Sequence, residues 1–116
     1  MKRLAIDFDG VIHKHDGEFG DGVPKYEPVE GARESLESLI DHGYEVMIFS
    51  TRLSPSWGDE DVDEQRRHIT KWLTDHGFEQ GVHYTNMTGC KVPAIAYIDD
   101  RGIRFTNWND IVNYFM

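Results

Sequence analysis

Near its start the chain runs Leu4-Ala5-Ile6 into Asp7-Phe8-Asp9 and then Gly10-Val11, a combination that leaves few folds open. An apolar run without polar alternation reads as a strand buried on both faces, the kind found inside a parallel sheet. Two carboxylates cannot stand in such an interior unpartnered, because burying an unpaired charge costs several kcal/mol or more. Asp7 and Asp9 are therefore expected at the strand's end, sharing a cation. The arrangement recurs far along the chain, where Ala94-Ile95-Ala96-Tyr97-Ile98 closes on Asp99-Asp100.

Between those acids the pattern alternates strand and helix. A first strand is predicted over 3–8. From His13 to Pro28 the chain carries Gly17, Gly20, Gly22, Pro24 and Pro28, which reads as a long turn-rich loop or a small hairpin. Ala32, Leu36, Leu39 and Ile40 share one helical face, with Gly43 placed to stop the helix. A second strand is predicted over 45–50. Asp59-Glu60-Asp61 suits the first turn of a second helix, whose buried stripe is Val62, Ile69, Trp72 and Leu73. Asp75-His76-Gly77-Phe78 repeats the pattern of Asp41-His42-Gly43-Tyr44 and reads as one helix-ending junction used twice. Short strands over 83–86 and 94–98 and a terminal helix over 109–116 complete the pattern. Such alternation argues for one α/β domain over residues 1–116, with a parallel sheet covered on both faces and its ligands at the carboxyl ends of the strands.

Composition narrows the function classes. Twelve Lys and Arg against 21 Asp and Glu give a net charge of −9, which argues against general binding to nucleic acid or to membrane surfaces. The single cysteine, Cys90, rules out an internal disulfide and suits a reducing, cytoplasmic setting. No apolar run approaches membrane-spanning length.

Taken in order, the predicted strand ends offer Asp7 and Asp9, then Ser50-Thr51-Arg52, then Lys91 ahead of the fourth strand, then Asp99-Asp100. These are the parts of a phosphoryl-transfer site. The sequence resembles the haloacid dehalogenase (HAD) superfamily, whose phosphatases carry an Asp-x-Asp motif after strand one, a Ser or Thr after strand two, a Lys before strand four and an acidic pair after it. Ser50-Thr51-Arg52 and Ile98-Asp99-Asp100-Arg101 are similar to the phosphatase part of polynucleotide kinases and to deoxyribonucleotidases. The resemblance implies a three-layer, Rossmann-like (HAD-like) fold with a mostly parallel sheet. Neither candidate interval has room for the cap domain of larger members, so a minimal capless type is implied.

The resemblance implies a Mg2+-dependent phosphomonoester hydrolase. Asp7 is the expected nucleophile, forming an aspartyl-phosphate, and Asp9 the acid that protonates the leaving oxygen and then activates water. Ser50, Thr51, Arg52 and Lys91 are expected on the phosphoryl group, with the backbone amides of Phe8 and Thr51 completing the cradle. The four carboxylates outnumber the cations Lys91 and Arg52, and a dianionic substrate adds to the deficit, so a divalent ion is needed. Mg2+, which prefers oxygen ligands, is assigned to Asp7, Asp9, Asp99 and Asp100.

An open site on an acidic chain favours a small phosphometabolite or nucleotide as substrate. End-processing of nucleic acid, or a phosphate-binding module without turnover, are the alternatives; a receiver domain would place its acids differently. His13 and His15 read as a solvated pair, and Trp57 as either a loop anchor or a ring that stacks on substrate.

Overall fold

The computed structural model describes residues 2–15, 22–90, 92–99 and 103–116. Among them the order is β1 (Lys2–Asp7), α1 (Ala32–Asp41), β2 (Tyr44–Phe49), α2 (Asp59–Asp75), β3 (Asn86–Thr88), β4 (Ala96–Asp99), β5 (Ile103–Arg104) and α3 (Trp108–Phe115). Two single 3-10 turns, Thr51–Leu53 and Pro55–Trp57, link β2 to α2. The strands form one sheet in the order β3-β2-β1-β4-β5, with every pairing parallel. This is the Rossmann-like α/β fold the sequence predicts, without a cap. No helix among the described residues is long and apolar enough to cross a membrane.

The apolar run of β1 places it at the centre, with Leu4, Ala5 and Ile6 buried. Pairing Leu4 with Val46 and Ala96, and Ile6 with Ile48 and Ile98, lines these side chains up on one face. There they join a core with Leu36 and Leu39 of α1, Ile69, Trp72 and Leu73 of α2, and Trp108 and Ile111 of α3. Right-handed crossovers explain the grouping: β1→β2 and β2→β3 step the same way across the sheet, so α1 and α2 land on the same side.

The other face, also expected to be covered, carries less. There Arg3 and Glu45 form a half-exposed ion pair at 3.0 Å, and Met47, Phe49 and Tyr97 are only half-buried. The return from β3 to β4 crosses this side without a helix. Its residues are tied down through Ile95 N–H to the Arg3 carbonyl, Arg3 to the Pro93 carbonyl and the Tyr97 hydroxyl to the Val92 carbonyl. The third layer is reduced to that segment because the interval is too short for a packed helix.

Other boundaries moved for local reasons. The third strand lies at 86–88, not 83–86, because residues 79–84 close a turn of their own. In it the Gly81 amide donates to the Tyr84 carbonyl, and the Glu79 amide donates to the His83 Nδ1. The two-residue β5 is not among the strands the sequence predicts. Within the glycine-rich loop, the described arms pair as a small hairpin, Lys14 N–H to Glu27 carbonyl at 2.9 Å and Val29 N–H to Ile12 carbonyl at 2.8 Å. The repeated junction holds as read: Gly43 and Gly77 take φ of 93° and 83°, left-handed values that glycine adopts without steric cost.

Candidate functional site

Register gathers the predicted acids and hydroxyl at one end of the sheet. Asp7 closes β1 opposite Phe49, so Ser50 follows one residue beyond on the neighbouring strand. On the other side Ile6 pairs with Ile98, which sets Asp99 alongside Asp7. Thus Asp7, Ser50 and Asp99 stand at the carboxyl ends of three adjacent strands, where open α/β sheets bind ligands. Lys91 and Asp100 lie outside the described residues.

After β1 the chain turns sharply. The Ile12 and His13 amides both donate to the Phe8 carbonyl and the Gly10 amide donates to the His13 carbonyl at 2.8 Å, with Gly10 at φ 86°. This turn carries Asp9 back over the strand end and brings His13 beneath it. The Phe8 amide donates to the Phe49 carbonyl at 3.0 Å, continuing the sheet ladder. It is therefore already engaged and does not join the phosphate cradle expected from sequence.

Asp9 is the most heavily partnered side chain here. Arg52 Nε donates to its Oδ2 at 2.8 Å and Arg52 Nη2 to its Oδ1 at 3.2 Å. His13 Nδ1 lies 2.9 Å from Oδ1. The Tyr26 amide donates to His13 Nε2 at 3.1 Å, so the ring proton belongs on Nδ1 and is given to Asp9. Burial pushes the Asp9 carboxyl up, but hydrogen bonds from His13 and Arg52, and the charges of Arg52 and His15, outweigh it and hold the group below the usual aspartate range.

The histidines correct the expectation of a solvated pair. His13 is 1% exposed, stacked on Phe8 with ring centroids 5.2 Å apart and edge-on to Trp72 at 5.1 Å. The sequence signal was the Asp9-x-x-x-His13 spacing across a glycine turn, which carried no weight without the turn's geometry. Asp9, His13 and His15 bring potential ligand atoms within 4.8 Å of one another. Both His13 nitrogens and both Asp9 oxygens are already engaged, so a cation could gather these three only by displacing Arg52 and the Tyr26 amide.

Ser50 is 1% exposed and its Oγ accepts from the Arg52 amide at 3.1 Å. This cap orients the hydroxyl and leaves its proton able to donate elsewhere. Arg52 is buried at 6% exposure; besides Asp9 it donates to the Gly22 carbonyl at 2.8 Å. Thr51 is exposed. Gly89, shortly before Lys91 in sequence, packs so tightly that a Cβ there would lie 1.9 Å from the Leu53 carbonyl oxygen. Only glycine lets that loop lie against the turn after Ser50. Trp57 both anchors and exposes: its Nε1 donates to the Thr51 carbonyl at 2.9 Å, and the residue remains 61% exposed.

No family model and no curated protein matches the chain. Among solved structures it is similar to a structural-genomics target from Vibrio cholerae, with TM-score 0.61 and 22% identity over 97% of this chain and 88% of that one. This likeness is one of fold. A looser one, with TM-score 0.48 and 16% identity, is to a D,D-heptose 1,7-bisphosphate phosphatase from B. bronchiseptica complexed with magnesium and phosphate. It covers 78% of this chain and half of that protein's length, and at that score it says nothing about activity.

Proposed function

We infer that the chain is a phosphomonoester hydrolase of the HAD type, acting through an aspartyl-phosphate. The observation that carries this reading is the register that sets Asp7, Ser50 and Asp99 at neighbouring strand ends, with Asp9 and Arg52 folded over them. The motif order along the sequence agrees with it.

In this reading an Asp7 oxygen attacks phosphorus in line with the ester oxygen, which leaves with a proton from Asp9. Water then attacks the phosphorus of the aspartyl-phosphate while Asp9 accepts its proton, releasing inorganic phosphate and restoring Asp7. Asp9 is held ionised while Arg52 grips it, the form needed in the second step. An arriving dianionic phosphoryl group competes for the guanidinium and frees the Asp9 carboxyl, which takes up a proton from solvent before the first step. Ser50 donates to a phosphoryl oxygen, and Thr51 and, by its place in the motif order, Lys91 are assigned to the same group.

The donor set suits a hard divalent cation, since the acids at the strand ends offer oxygen alone. Asp7, the Asp9 backbone carbonyl, Asp99 and Asp100 would hold Mg2+, which would neutralise charge on the phosphoryl oxygens. The substrate class is a small phosphometabolite or nucleotide. Phosphate release from a generic aryl phosphate with excess Mg2+ tests the assignment. Turnover is expected in the wild type and its abolition in Asp7→Asn, whose amide cannot form the acyl phosphate. Folded wild-type protein no faster than buffer would overturn it.

A further inference from the structure

Beside the Asp9–Arg52 pair the surface opens into a cavity of about 400 Å3 lined by Thr51, Arg52, Trp57, Asp61, Glu64 and Gln65. Its walls are the 3-10 turns after β2, the first two turns of α2 and Gly22. Trp57 supplies an indole that is 61% exposed, whereas Trp72 and Trp108 are 4% and 2% exposed. That indole is held in place by its bond to the Thr51 carbonyl, so a ligand covering it orders little that was free. Asp61 and Glu64, three residues apart on α2, are both exposed; Glu64 Oε1 lies 3.5 Å from His68 Nε2, and the second Glu64 oxygen and the Asp61 carboxylate offer acceptors. The cation in the wall, Arg52, is already engaged by Asp9 and the Gly22 carbonyl. The cavity thus presents an aromatic surface and two negatively charged hydrogen-bond acceptors, beside the point where the ester oxygen would depart.

We propose that this cavity receives the leaving group of the phosphomonoester and selects one that carries no negative charge, lays a flat or apolar face on Trp57 and donates hydrogen bonds to Asp61 and Glu64. The inference rests on the phosphatase reading. Two sources have the required chemistry. A nucleoside stacks through its base and donates through amino and hydroxyl groups, and a hexose offers an apolar ring face with hydroxyl donors. Substrates with a second phosphate or a carboxylate meet Asp61 and Glu64 as like charges and are rejected.

Because Trp57 is the exposed one of the chain's three tryptophans, its emission reports on the cavity without any turnover. Wild-type protein is titrated with adenosine, methyl glucoside and glycerate. A saturable change is expected with adenosine or with methyl glucoside, which identifies the source, and none with glycerate. Glu64→Gln, on an exposed helical position that does not threaten folding, should weaken that binding roughly ten-fold. In turnover, kcat/KM for the matching nucleotide or sugar phosphate, divided by that for acetyl phosphate, should fall roughly ten-fold in Glu64→Gln and three- to ten-fold in Trp57→Ala. No saturable change with either neutral probe, glycerate binding as tightly, or an unmoved ratio overturns the inference. Failure to hydrolyse both the aryl phosphate and acetyl phosphate while a neutral probe still saturates overturns the phosphatase reading, and the leaving-group role with it. Absence of probe binding in the wild type, with its hydrolysis intact, overturns this inference alone.

Discussion

Arg52 closes on Asp9 through both carboxylate oxygens, at 2.8 and 3.2 Å, with the two side chains only 4% and 13% exposed. A forked, charge-assisted pair of this kind is strong because the guanidinium geometry matches the carboxylate. Removing one member leaves the other charged and poorly solvated. Arg52→Met is therefore expected to lower stability by about 3 kcal/mol, read from urea unfolding. Arg52→Lys should recover only part, since a single ammonium cannot span both oxygens. Equal stability of Arg52→Met and wild type would mean the pair contributes nothing.

The same pair predicts an acid sensitivity with a definite sign. The folded-state pKa of Asp9 lies below its ordinary value of 3.8, so below that value the unfolded chain takes up more protons at this group than the folded one. Its contribution to stability is complete above the ordinary value and is lost as pH falls through the lowered one. The stability gap between wild type and Asp9→Asn should thus be widest at about pH 6 and narrow by about pH 3. A gap that stays constant when urea unfolding is repeated across that pH range would contradict the assignment of that carboxyl.

His13 joins the core to the site. His13→Ala removes a buried ring stacked on Phe8 and leaves the Tyr26 amide and Asp9 each short of a partner. A loss of about 2–4 kcal/mol is expected. Because Asp9 also loses a positioning bond, kcat should drop more than KM changes in whatever folded protein remains. Steady-state kinetics on the aryl phosphate, below the melting range, makes that separation.

At Gly89 the effect is steric. A Cβ would fall 1.9 Å from the Leu53 carbonyl oxygen and 2.5 Å from the Ser54 amide nitrogen, and backbone cannot swing aside as a side-chain tip can. Gly89→Ala should cost about 1–3 kcal/mol and push its loop away from the turn after Ser50. Weaker inhibition by inorganic phosphate, alongside a lower melting temperature, would report both consequences.

Metal binding should register in stability as well as in turnover. Carboxylates gathered at one sheet end repel one another, and a ligand that binds only the folded state adds stability as RT ln(1 + [L]/Kd), about 2.7 kcal/mol at a hundred times Kd. Melting with Mg2+ is expected above melting with chelator. Asp99→Asn should reduce the difference, and an unchanged midpoint at saturating Mg2+ would argue that the acids share no cation.

Local patterns were enough to place most of the elements. The apolar run before Asp7, the helical stripe through Leu36 and Leu39, and the two His-Gly-aromatic junctions are read from neighbours in the chain, because the strand, the amphipathic helix and the left-handed stop each depend on residues a few positions apart. The strand over 86–88 was misplaced because His83 closes its turn through a side chain, which spacing does not reveal. The grip of Arg52 on Asp9, the burial of His13 and the cavity under Trp57 join residues as far apart in sequence as His13 and Trp72. Likewise the thin cover over Met47 and Phe49 follows from which way each crossover steps across the sheet. Sequence alone determined which chemical groups arrive at the strand ends. Which of them touch was decided only by the tertiary structure, since a hydrogen bond or a cavity exists only once distant segments have been packed within a few ångströms of each other.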